Sequence, residues 1–245
     1  MCTASWIHSN EGYSLFFNRD EKLTRKEGLP PELRELRGVK YISPLDGDHQ
    51  GSWIAVNQFG LTLCLLNRYQ MARSNTGVDF TSRGLLLINL IDSVDRIEVE
   101  NRLADSNLQC FQPFTLAVLQ QRSETVVFQW DGLDLLKHPE GDALMPLTSS
   151  SCDTLNVIER RRSQFEKFRD KAGELNEETL YRFHHSHDPS SGANSVCMHR
   201  DDAATVSFST VRVDDGSIEF GYLQASPCME RRDAIHAIRL ERAAS

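Results

Sequence analysis

The 245-residue sequence lacks any uninterrupted apolar run long enough to span a bilayer, so stable membrane insertion is not expected. Its N-terminus has neither the basic region nor the long apolar region of a secretory signal. It lacks a basic patch, and the net charge of −8 argues against nucleic acid and anionic membranes as partners. No Cys-x-x-Cys pair occurs. Cys2, Cys64, Cys110, Cys152, Cys197 and Cys228 are scattered, a pattern suited to free thiols in a reducing cytoplasm rather than a disulfide framework. What is present is a hydrophobic share of 40%, enough for a sizeable core, and a length for which one domain over residues 1–245 is the simplest expectation.

The most informative stretch is the first. Met1-Cys2-Thr3-Ala4-Ser5-Trp6-Ile7-His8 and Tyr13-Ser14-Leu15-Phe16-Phe17-Asn18-Arg19-Asp20-Glu21 flank a polar Ser9-Asn10-Glu11-Gly12 corner, which reads as a β-hairpin. Gly12 is expected to supply a positive φ in the turn. Antiparallel pairing sets Cys2 beside Asn18, Arg19 and Asp20, so a thiol, a guanidinium and a carboxylate meet at one end of a sheet. Removal of Met1 would give Cys2 a free α-amine. With a reference pKa of about 7.7–8.0, such an amine can serve as the base for its own thiol. Arg19 is positioned to lower the thiol pKa and Asp20 to orient the amine. The same residues also fit a plainer reading, a small hydrophobe near a chain end beside a surface ion pair.

Further on, residues 22–47 are charged and carry Pro30, Pro31 and Pro44. They read as a surface excursion with one short helix at 31–37. Gly51-Ser52-Trp53 opens a second hairpin that closes at Asn67, where an asparagine is either a turn former or an oxyanion donor. Helices are expected near 81–91, 92–104, 153–172 and 177–185, and a strand pair at 113–120 and 125–130. Ser149 to Asp153 form the N-cap of the third helix, on which Leu155, Ile158, Phe165 and Phe168 are core candidates and Arg160, Arg161 and Arg162 a solvated face. His184, His185, His187 and Asp188 lack a recognised ligand spacing and run into a Pro-Ser-Ser-Gly loop, so no metal site is expected there. An Asp-Gly hairpin joins strands at 204–213 and 218–224, and the tail after Ser226 carries no readable signal.

Cys2 followed by Asn18-Arg19-Asp20-Glu21, with Gly51-Ser52-Trp53 and Asn67, resembles the NRDE family, which includes the transport and Golgi organisation protein 2 group. It is similar, more distantly, to the choloylglycine hydrolase and penicillin acylase branch of N-terminal-nucleophile hydrolases. Strand pairs first, helices in the middle and strands last already fit an α+β chain; the resemblance implies the four-layer αββα sandwich. It implies catalytic roles for Cys2, Arg19, Asp20 and Asn67, and substrate contacts at Asn18, Trp53, Ser149 and Arg200. Ser149 departs from the family's asparagine, and Arg200 has lost the flanking threonines. The activity implied is hydrolysis or acyl transfer at the carbon–nitrogen bond of a small-molecule amide, with no cofactor. The alternative implied is a non-catalytic binding or trafficking protein for haem or a lipid-like, hydrophobic ligand.

Overall fold

Strands such as those at 54–57 and 62–67, apolar at nearly every position rather than alternating, must be covered on both sides. The computed structural model, which describes residues 1–71, 79–188, 190–230 and 232–243, shows how. The strands are, in order, β1 (Cys2–His8), β2 (Tyr13–Lys22), β3 (Leu29–Leu36), β4 (Val39–Leu45), β5 (Ile54–Asn57) and β6 (Thr62–Asn67). Helices α1 (Arg83–Leu90) and α2 (Arg96–Ala104) precede β7 (Phe114–Leu119), β8 (Val126–Trp130), β9 (Leu135–His138) and β10 (Leu147–Ser149). Helices α3 (Thr154–Ala172) and α4 (Glu177–His184) lead to β11 (Ala203–Val213), β12 (Ser217–Leu223) and β13 (His236–Glu241).

Two antiparallel sheets result, one ordered β10-β1-β2-β11-β12-β13 and the other β3-β4-β5-β6-β7-β8-β9. Cys2, Ala4, Trp6, Leu15 and Phe17 of the first sheet pack against Ile54, Val56, Cys64 and Leu66 of the second. On the outer face of the second sheet, Leu61, Leu63, Leu65 and Leu116 meet Leu86, Leu87, Leu90, Val99 and Leu103 of α1 and α2. On the outer face of the first, Phe16 and Phe208 meet Phe165, Leu180 and Phe183 of α3 and α4. The architecture is the four-layer αββα sandwich, an α+β fold. No helix among the described residues is long and apolar enough to cross a membrane.

Four expectations are corrected. Residues 31–37 are not helical: they lie in β3, an edge strand, where Pro30 and Pro31 cost no ladder donor and pairing with β4 overrides local propensity. Gly12 has no positive φ; it is needed because a Cβ there would come 1.7 Å from the Val213 carbonyl oxygen. The segment after Ser226 forms β13, whose pairing on β12 extends the sheet. On α3, Leu155 is exposed, whereas Arg161 is fully buried among Val157, Gln164 and Phe165. Pro189 of the histidine-rich loop lies outside the described residues.

Candidate active site

β1 and β2 pair with Cys2 opposite Arg19 and Thr3 opposite Asn18. Side chains alternate, so Cys2 and Arg19 share the face toward the second sheet, while Thr3, Asn18 and Asp20 share the face toward α3 and α4. Beside Cys2 opens a cavity of about 360 Å³, bordered by Met1, Arg19, Trp53, Asn67 and Arg83. Opposite it, β11 shifts register between Thr205 and Ser207, a bulge against Asp20 and Arg19 of β2.

Arg19 is almost fully buried. Its guanidinium lies 4.0 Å over the Trp53 ring and donates to Asp46 at 2.7 Å, with Glu21 at 3.5 Å. Arg25 binds the same Asp46 and Glu21. Arg19 is therefore shared with carboxylates and only partly acts on the thiol: burial pushes the Cys2 thiol up, outweighing the lowering by the terminal amine and Arg19. That reverses the expected activation for the chain with Met1 in place.

Asp20 is completely buried. One carboxylate oxygen takes both terminal nitrogens of Arg161 at 3.2 Å, and the other accepts the Thr205 hydroxyl at 2.6 Å. Arg161 also donates to Thr3 at 2.7 Å and to the Ala193 carbonyl. Its role was missed because it sits in an arginine triplet; the spacing Val157, Arg161, Phe165 on one helix face is the signal that marks it.

The terminal ammonium of Met1 donates to the Asp20 backbone carbonyl at 2.9 Å, and the Asp20 amide returns a bond to the Met1 carbonyl at 2.9 Å. Burial pulls this amine down, but the facing Cys2, Tyr69 and Asp20 outweigh it and push it up to about 10. The Cys2 amide donates to the Ser149 hydroxyl at 3.0 Å. Ser149 thus stands at the Cys2 nitrogen, on β10, rather than along the cavity. Asn67 reaches the cavity rim, its amide donating to the Tyr69 hydroxyl at 2.8 Å. Arg83, at the first position of α1, was not anticipated; burial lowers its pKa, and it donates to the Pro113 carbonyl at 3.0 Å.

Two expected contacts lie elsewhere. Asn18 faces away from the cavity, donating to the carbonyls of His184 and Val196 and accepting from His184 Nδ1 at 3.0 Å. Both amide hydrogens are used on carbonyls, so its oxygen must accept, which fixes Nδ1 as the protonated nitrogen and lets Nε2 accept from Ser5. Arg200 sits outside the cavity, paired with Asp202. Of the expected residues, Cys2, Arg19, Asp20, Trp53 and Asn67 are brought together, Ser149 supports them from behind, and Asn18 and Arg200 are not part of the cavity.

A family model described as Transport and Golgi organisation 2 matches residues 1–210. The chain belongs to that family. Among solved structures it is similar to a Caenorhabditis elegans ortholog of N-acylethanolamine-hydrolyzing acid amidase, at 14% identity and a TM-score of 0.59 over 86% of this chain and 92% of the other. It is also similar to a cysteine-to-alanine mutant of conjugated bile acid hydrolase from Clostridium perfringens, at 12% identity and a TM-score of 0.56 over 97% and 92% of the two chains. These likenesses show an N-terminal-nucleophile hydrolase fold. Comparison with curated proteins finds no match.

Proposed function

We propose that this protein cleaves or transfers the acyl group of a small-molecule amide, with Cys2 as nucleophile once Met1 has been removed. The observation that carries the reading is the position of Cys2: paired with Arg19, open to the cavity, its nitrogen on the Ser149 hydroxyl and its flanking peptide clasped by the backbone of Asp20. Removing Met1 turns the Cys2 amide into an amine at a place where an acceptor already stands. The amine takes the thiol proton as Sγ attacks the carbonyl carbon. The oxyanion falls to Asn67 and nearby donors. Collapse breaks the carbon–nitrogen bond, the ammonium returns the proton to the leaving amine, and water or an acceptor amine then releases the thioester. That the similar structures include proteins named for amidase and conjugate hydrolysis supports the substrate class.

The seating of Met1 favours a second reading, since a retained Met1 leaves a buried, protonated thiol in a binding scaffold for haem or a lipid-like ligand. Intact mass spectrometry followed by a screen of N-acyl amides separates the two. Loss of Met1 with turnover that Cys2→Ala abolishes is expected; turnover retained by Cys2→Ala refutes the mechanism. Retained Met1 with ligand binding and no turnover establishes the second reading.

A further inference from the structure

Behind the Asp20 network lies a group of side chains that neither reading uses. His187, Cys197, His199 and Cys228 each present one ligand atom, all within 4.8 Å of one another. His199 Nε2 lies 3.1 Å from Cys228 Sγ and 3.7 Å from Cys197 Sγ, and the two imidazole rings stand 5.0 Å apart at 62°. His187 Nε2 is buried with no hydrogen-bond partner, a costly state for an imidazole unless something accepts its lone pair or hydrogen. The residues come from three stretches: the loop just after α4, the segment before β11, and the turn at Pro227–Met229 after β12. Only His187 belongs to the His184–Asp188 grouping in which no metal site is expected; the other three residues join it only in the folded chain.

We propose that His187, Cys197, His199 and Cys228 form a structural zinc site. Two thiolates and two imidazoles are the donor set of closed, tetrahedral zinc sites. With bonds of about 2.3 Å to sulfur and about 2.0–2.1 Å to nitrogen, neighbouring ligand atoms stand roughly 3.3–3.8 Å apart. The two sulfur–nitrogen distances of 3.1 and 3.7 Å lie either side of the roughly 3.5 Å such a pair takes in a tetrahedral site, so small side-chain rotations close the site. Binding releases one proton from each thiol, and the two thiolates neutralise the dication. All four positions are protein ligands, so the metal would hold structure rather than activate water.

The location gives the site a purpose. The described residues 185–188 and 190–202 carry no long helix or strand of their own, and such a segment needs an anchor. Met198, between two of the ligands, packs on Met1, and its amide donates to the Thr205 hydroxyl that in turn donates to Asp20. A metal at this point fixes the backbone that positions Asp20, whether or not Cys2 is catalytic.

The test is elemental analysis of protein purified under reducing, chelator-free conditions, with cobalt titration of the reduced, metal-stripped chain. About one zinc per chain is expected, together with tetrahedral Co²⁺ bands and thiolate-to-cobalt charge transfer. Cys228→Ser and His187→Ala should each weaken cobalt binding by more than about tenfold, the scale on which even outer-shell partners act. Because the titration uses the unaltered chain, an unfolded variant does not decide the outcome. No zinc above background and no charge-transfer band overturns the proposal. So does an intact mass two hydrogens lower with Cys197 and Cys228 joined as a disulfide.

Discussion

Replacing Arg161 by methionine removes the charge but keeps most of the aliphatic stem that packs on α3 and the first sheet. Asp20 then remains fully buried with the Thr205 hydroxyl as its side-chain partner, having lost two charge-assisted bonds at 3.2 Å. Breaking one side of a buried pair leaves an uncompensated charge and costs about 3–5 kcal/mol. With a urea slope of about 2–3 kcal/mol/M, the unfolding midpoint should fall by about 1–2.5 M without a change in slope. Asp20→Asn alone should be similarly costly, because it strands the guanidinium. The double variant should recover part of the loss, with a coupling energy of up to about 3 kcal/mol. A midpoint shift below about 0.3 M for Arg161→Met, or strict additivity in the double variant, would refute the claim that this pair joins α3 to the strand bearing the site.

Stability should also fall on acidification. Burial, with minor help from His185 and Arg161, holds the His184 imidazole well below its usual value, so it is neutral when folded and protonates only on unfolding. Its contribution is complete above about pH 6.5 and is lost below it, at up to about 1.4 kcal/mol per pH unit, readable as a pH-dependent urea midpoint. Asn18→Leu should cost about 2–4 kcal/mol, since two carbonyls and the His184 Nδ1 hydrogen lose their partner in a buried setting, while KM for any amide substrate stays unchanged. A raised KM with normal stability would place Asn18 at the substrate after all. Trp53→Leu should remove the ring under Arg19 and weaken substrate binding more than it changes kcat, measured on whichever amide the screen yields.

The first hairpin and its Cys2–Arg19 register were legible because alternation and a polar corner over-determine a short antiparallel pair. The helices starting at Arg83 and Thr154 were legible from helical spacing, although the expected caps do not form: neither Ser82 nor Asp153 makes a side-chain cap bond, and Ser149 belongs to β10. What failed was tertiary. Residues 29–36 form a strand because β4 offers an edge, which no local pattern reports. Arg161 belongs inside because Asp20, far away in sequence, needs a counter-charge. The His187, Cys197, His199 and Cys228 group has no sequence spacing to find, since three separate stretches meet only in the folded chain.

The Asn18-Arg19-Asp20-Glu21 tetrapeptide reads differently once its strand has two covered faces. A β-strand sends alternate side chains to opposite sides, so four consecutive residues on β2 cannot all serve one cavity. Arg19 goes inward, to Trp53 and Asp46. Asn18 and Asp20 go outward, to His184 on α4 and Arg161 on α3. The latter two dock separate helices onto one strand, while the Asp20 backbone clasps Met1. It follows that Asn18 and Asp20 hold the layers in register around Cys2, while Arg19, with Glu21 beside it, faces the cavity. Loss of Asn18 or Asp20 should therefore be felt first as stability, and loss of Arg19 first as activity.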